Sequence, residues 1–138
     1  MKMILAVDPG SVKGGLAVLD DTGKVLERKL VDAETICREI LFFSAKYPVY
    51  KVVVGRGVGS YPIKKFFTDR SNIFELEFVD EKFSTLEAKR LFFKDHPPVF
   101  LQKLLPISIL IPARPIDDYS AVVLGRRYLK KCPMSNVQ

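Results

Sequence analysis

Five carboxylates stand at places where a folded chain holds side chains rigidly. Asp8 closes the apolar run "MILAVD" just before Pro9-Gly10, Asp80 and Glu81 end the last strand in "EFVDEKFST", and Asp117 and Asp118 open "DDYSAVV". Hard divalent cations such as Mg²⁺ take one or two carboxylates together with waters and phosphate oxygens. Carboxylates from three elements, brought to one mouth of a sheet, can hold two ions about 4 Å apart, which activate a water and stabilise the leaving oxygen of a phosphodiester. Each residue also has a plainer use. Asp8 before Pro-Gly serves as a turn residue, Asp80 and Glu81 as solvated strand-end charges, and Asp117 as a helix N-cap. On a helix Asp117 would share a face with Ser120.

The composition narrows the alternatives. The single histidine, His96, cannot build a histidine-rich metal site, and Cys37 and Cys132 stand far apart in no CxxC spacing. Any metal is therefore expected on oxygen ligands, in a reducing compartment. With 138 residues, 48% of them hydrophobic and 28% charged, the chain reads as one globular domain. No apolar run approaches the roughly 20 residues of a membrane helix. The first strand begins by residue 3, which leaves no room for a signal peptide, and the expected location is the cytoplasm with no membrane partner. The net charge of +6 and a pI near 9.4 favour a polyanionic partner, nucleic acid above all.

The elements that must position these residues follow from periodicity. "MILAVD" reads as a strand buried on both faces, and "GGLAVLD" and "KVLERKLV" as two further strands joined by an Asp21-Thr22-Gly23 hairpin turn. A helix is expected after Asp32 as N-cap, then the buried strand "YKVVVG", a short helix in "SYPIKKFFTD" and a strand in "IFELEFVD". Ser84 and Glu87 form a capping-box pattern at the start of "STLEAKRLFFK". A short helix in "VFLQKLL", a loop through "PISILIPARP" and a last helix in "DDYSAVVLGRRYLKK" complete the chain. This order predicts an α/β mixed five-stranded sheet, three antiparallel strands followed by parallel ones, with helices on both faces and the first strand central. One domain over 1–131 and a frayed tail over 132–138 are expected. Sites in such sheets lie at the carboxyl ends of central strands, where Asp8 stands.

Three motifs carry a family resemblance. "AVDPGSVKGGLAV" resembles the first motif of RuvC-type Holliday-junction resolvases. "VDEKFSTLEAKRLF" and "DDYSAVVLGRRYL" more closely resemble the YqgF group, first described as junction resolvases and now mostly regarded as ribosomal-RNA precursor nucleases. The motifs occur in order and span nearly the whole chain. The resemblance implies an RNase H-like fold and endonucleolytic, Mg²⁺- or Mn²⁺-dependent hydrolysis of phosphodiester bonds in structured RNA or branched DNA. Carried over position by position, Asp8 matches the first-strand metal ligand, Glu81 the glutamate of the Asp-Glu pair, and Asp117 the final-helix aspartate. Asp118 is the next candidate ligand if the register moves by one. Gly15 matches the glycine that lets the second strand pass close to the first.

The chain also departs from the family pattern. "VVVGRGVGSYPIKKFF" replaces the group's usual loop, no acid stands near Gly55-Arg56 where RuvC resolvases have their second one, and position 120 is serine. Lys13, Arg56, Lys64, Lys65 and Arg114 are the cations expected to meet phosphates, with a solvated charged face as the plain reading of Arg56, Lys64 and Lys65. Arg114 is placed either to hold the scissile phosphate or to pair with Asp117. Phe92 and Phe93 read as core rather than as a stacking platform. A nucleic-acid-binding module with weak catalysis is the alternative on the same fold. A piece of a sugar-kinase-like ATPase, which would need a second domain, is a more distant one. Either a monomer or a homodimer fits, since symmetric junction cutting needs two copies.

Overall fold

Period-two alternation and β-branched runs build five strands, and their two faces are both covered. The computed structural model describes residues 2–68, 75–80, 85–98 and 102–133. The strands are β1 (Met3–Asp8), β2 (Lys13–Asp20), β3 (Val25–Asp32), β4 (Val49–Gly55) and β5 (Glu75–Val79). The helices are α1 (Ile36–Lys46), α2 (Ser60–Thr68), α3 (Thr85–Asp95) and α4 (Asp117–Lys131). The strands form one sheet in the order β3-β2-β1-β4-β5. β1 is antiparallel to β2 and parallel to β4, β2 is antiparallel to β3, and β4 is parallel to β5. This is the mixed sheet with a central first strand that the sequence predicts.

Alternate residues of β1 and β2 divide the core. Leu5, Val7, Leu16 and Val18 pack with Ile40 and Phe43 of α1 and Ile63 and Phe67 of α2. Ile4, Ala6, Ala17 and Leu19 pack with Ala121, Val122, Tyr128 and Leu129 of α4. Each fully buried Leu or Ile adds roughly 1.5–3 kcal/mol of transfer free energy, so β1, buried on both sides, anchors both layers. Helix α3 rests on α4 through Ala88 and Phe92 against Tyr119 and Val123. Phe92 is thereby core, as expected. No helix among the described residues is long and apolar enough to cross a membrane.

Several local expectations need correction. Asp32 is the last residue of β3, not a helix N-cap; its carboxylate pairs with Lys13, and α1 begins after Thr35 without a side-chain cap. The "VFLQKLL" segment is not a helix over its described part but a short 3-10 turn at Gln102–Leu104. A second 3-10 turn, Ile107–Ile109, lies in the stretch expected to be loop. Prolines at 106, 112 and 115 explain why neither turn extends, since each removes a donor and fixes φ. Ser84 of the expected capping box lies outside the described residues.

Candidate active site

The alternation that sorts the core also aims Asp8. Ile4 and Ala6 face α4, so by period two Asp8, at the end of the same strand, faces α4 as well. Its cross-strand partner on β2 is Gly15. A Cβ built on Gly15 would lie 2.1 Å from both the carbonyl carbon and oxygen of Asp117 and 2.4 Å from the nitrogen of Asp118. The first turn of α4 thus occupies the space that any side chain at position 15 would fill. This corrects the expected role of Gly15: the close approach it permits is of a helix start, not of β1. Its consequence is that Asp117, the first residue of α4, arrives beside Asp8.

The two carboxyl groups are close enough to share a proton when one of them is protonated. Burial, then the negative charge of Asp117, then a hydrogen bond to it push Asp8 up to about 7. Asp117 is also raised, chiefly by burial, with Asp118 adding to the rise. Two carboxyls this close cannot both ionise freely, and they titrate as a pair. Asp117 caps nothing: the N-cap position is Ile116, and Asp117 is the first helical residue, where the positive end of the helix dipole attenuates its charge.

Asp118 has a different setting. It is only 4% exposed, and its carboxylate is gripped from two sides. Arg28 of β3 donates Nε to Oδ2 at 3.2 Å, and Arg114 donates Nη1 to Oδ1 at 3.2 Å and Nη2 to Oδ2 at 3.3 Å. Arg28 also donates to the Tyr119 hydroxyl at 2.5 Å, and that hydroxyl donates to Asp95 at 2.8 Å. The Arg28 guanidinium lies 4.3 Å from the centre of the Tyr119 ring. A carboxylate held by two guanidiniums braces the helix start. Of the two placements expected for Arg114, a phosphate contact or a pair with Asp117, the second is corrected: its carboxylate partner is Asp118. Arg28, Tyr119 and Asp95 were not singled out from sequence, because they stand far apart along the chain and only the fold joins them.

The other expected residues divide. Lys13 is paired with Asp32 at 2.5 Å on the surface. Arg56 and Lys64 line a cleft of about 460 Å³ with Gly57, Ser60, Tyr61 and Phe78. Lys65 is exposed on α2, outside that lining. The cleft adjoins Asp8's turn, because Gly59 packs directly on Gly10: a Cβ at Gly59 would be 2.3 Å from the Gly10 carbonyl oxygen. Glu81 lies outside the described residues; Asp80, just before it, is exposed. β4, the parallel neighbour of β1, ends on Gly55 and so offers no carboxylate beside Asp8. Among the described residues no cluster of three or more carboxylate, histidine or cysteine side chains forms.

The pair of hard oxygen donors nevertheless suits a divalent cation. Among the described residues nothing cationic offsets Asp8, whose ionisation is opposed by burial and by Asp117. A bound dication would compensate both charges and take the place of the shared proton.

Comparison with known proteins places this geometry on a familiar scaffold. No family model and no curated protein matches the sequence. Among solved structures, T. thermophilus RuvC in complex with a Holliday-junction substrate superposes with a TM-score of 0.50 and 13% identity, over 94% of this chain and 95% of that one. Fowlpox virus resolvase, in complex with Holliday-junction DNA, superposes with a TM-score of 0.50 and 21% identity, over 94% and 97%. The chain therefore shares the fold of these two proteins over nearly its full length, with the mixed five-stranded α/β sheet that the sequence predicts.

Proposed function

We propose that this chain is a divalent-metal-dependent endonuclease acting on branched nucleic acid, with Holliday-junction DNA as the first substrate to test and ribosomal-RNA precursor, after the YqgF resemblance, as the second. The observation that carries this reading is the Asp8–Asp117 carboxyl pair, set at the end of the central strand by the missing side chain of Gly15. Asp8 and Asp117 would hold Mg²⁺ or Mn²⁺, with Glu81 as the expected third ligand. When bound, the ion supplies Lewis-acid activation of the phosphodiester and of the attacking water. The chain's own residues do the positioning. Asp118, braced by Arg28 and Arg114, fixes the first turn of α4 and with it the Asp117 carboxylate. Arg56 and Lys64 present positive charge in the adjoining cleft, suited to the phosphates flanking the cut. The fold neighbours, both complexes with junction DNA, support putting that substrate first.

The test is cleavage in Mn²⁺ of a labelled four-way DNA junction and of a precursor ribosomal RNA fragment, comparing the wild type with Asp8→Asn. Cleavage that disappears in the variant is the expected result, and cleavage undiminished in it would sink the assignment. One observation favours a second reading: with Gly55 beside Asp8, the described pair lacks the neighbouring acid that RuvC resolvases carry. A binding module with weak catalysis would bind both substrates and cut neither.

A further inference from the structure

We infer that the trough between α3 and α4 is a second nucleic-acid contact, which carries a single strand away from the Asp8–Asp117 pair. The inference rests on the proposed function and adds a path for the substrate beyond the site. The two helices run antiparallel: Tyr119 near the start of α4 meets Asp95 at the end of α3, and Arg127 near the end of α4 meets Glu87 near the start of α3. Two hollows, of about 240 and 400 Å³, adjoin along Leu91 and Arg126, the smaller also bordered by Val25 and Arg28 of β3. One end includes Arg28, which grips Asp118 beside the site; the other reaches Lys130. From Asp117 to Lys130 the helix rises roughly 20 Å, room for a few nucleotides of an extended strand.

The charges of the trough are unequally answered. Its two carboxylates are already satisfied within the chain, Glu87 by Arg127 and Asp95 by Tyr119 and Arg28. Arg90, Lys94 and Lys130 are exposed and have no carboxylate partner among the described residues. Arg90 and Lys94 stand one turn apart on α3, and Arg126 and Lys130 one turn apart on α4, so cations border the trough in two rows. Its floor is apolar, from Leu91 and Val123. A groove with cations tracking a backbone and an apolar base for the nucleotides is how single strands are held without sequence preference.

The test measures binding, not cutting, so that it does not depend on catalysis. In the Asp8→Asn background, with chelator present, fluorescence anisotropy is read for a four-way junction with and without a single-stranded extension on one arm. Arg90→Glu and Lys130→Glu should each weaken binding of the extended junction by about tenfold and lower its salt slope by about 0.7. The plain junction should change by no more than about twofold, and Arg38→Glu, on α1 across the sheet, should change neither. Arg90→Gln and Lys130→Gln should act in the same direction with smaller effect, which separates lost contact from damage by charge reversal. Undiminished binding of the extended junction by the trough variants would overturn the inference while leaving the nuclease reading intact. Displacement by poly-glutamate as effective as by single-stranded DNA would overturn it by assigning the trough to acidic proteins. A parent protein that binds neither junction would overturn both.

Discussion

Burial and mutual proximity raise both Asp8 and Asp117, and this fixes how the site should respond to pH and to substitution. The folded value of Asp8, about 7, lies above its ordinary 3.8, so between those limits the native state binds more protons than the unfolded chain. This contribution to stability is present below about pH 4 and is lost as pH rises toward 7. Asp8→Asn removes the ionisation while keeping a donor for Asp117. Metal-free Asp8→Asn should therefore melt above the wild type at pH 8, by roughly 5 °C, with the gap closing by pH 4. Differential scanning fluorimetry in chelator checks this; a variant less stable at pH 8 would mean that the carboxyl is stabilising when charged. Saturating Mn²⁺ should close the gap from the other side, by raising the wild type alone. Gly15 makes a sharper demand. A methyl group at position 15 meets backbone atoms of Asp117 that no rotamer change can move, so Gly15→Ala should cost about 3 kcal/mol and abolish cleavage. Denaturant unfolding with a loss under about 1 kcal/mol would show that α4 can back away without harm.

At the scale of elements, the site is a joint between a strand end and a helix start, and the brace on that joint is Asp118. Asp118→Ala removes a buried carboxylate that accepts from two guanidiniums, each about a third exposed, so it should lose about 1–3 kcal/mol. Asp118→Asn should lose less and, because the Asp118 carboxylate is already held by two arginines, should keep Mn²⁺ affinity within a few-fold of wild type. Asp117→Asn should lose that affinity with little loss of stability. Calorimetric titration of both variants decides between them, and equal loss of Mn²⁺ binding would return Asp118 to the ligand set. These same elements show what the sequence discloses. β1 is legible because its apolar run is continuous and ends abruptly at Asp8-Pro9-Gly10, and the central position of that strand follows from the order of elements. The choice between Asp117 and Asp118 is not legible, because adjacent residues differ by about 100° around a helix and nothing local sets the phase. Arg28, which holds Asp118, stands 90 residues from it. Gly15 is visible as a required glycine, yet what fills its missing side chain is a contact made across the whole chain. Asp32 misleads for a simpler reason: an aspartate before an amphipathic run looks like a cap until its strand partner Lys13 is known.

For the whole molecule the open quantity is how many copies act together. A four-way junction presents two equivalent strands, and one Asp8–Asp117 pair can attend to only one of them, so paired cuts need two copies related by a twofold axis. A nuclease that trims one RNA strand has no such need. The net charge of +6 opposes the approach of two free copies and is relieved once phosphates lie between them, so pairing should depend on the nucleic acid. Metal-free Asp8→Asn should then be a monomer alone and form a complex of two copies per junction, measured by mass photometry at about 0.1 M salt, where screening acts over roughly 10 Å. Mixing wild type with excess Asp8→Asn, followed by Mn²⁺, should accumulate junctions nicked on one strand, since most pairs would carry a single working site. Saturation at one copy per junction, with nicked junctions as the end product of the wild type alone as well, would remove paired cutting from the proposed activity and leave single-strand cleavage in its place.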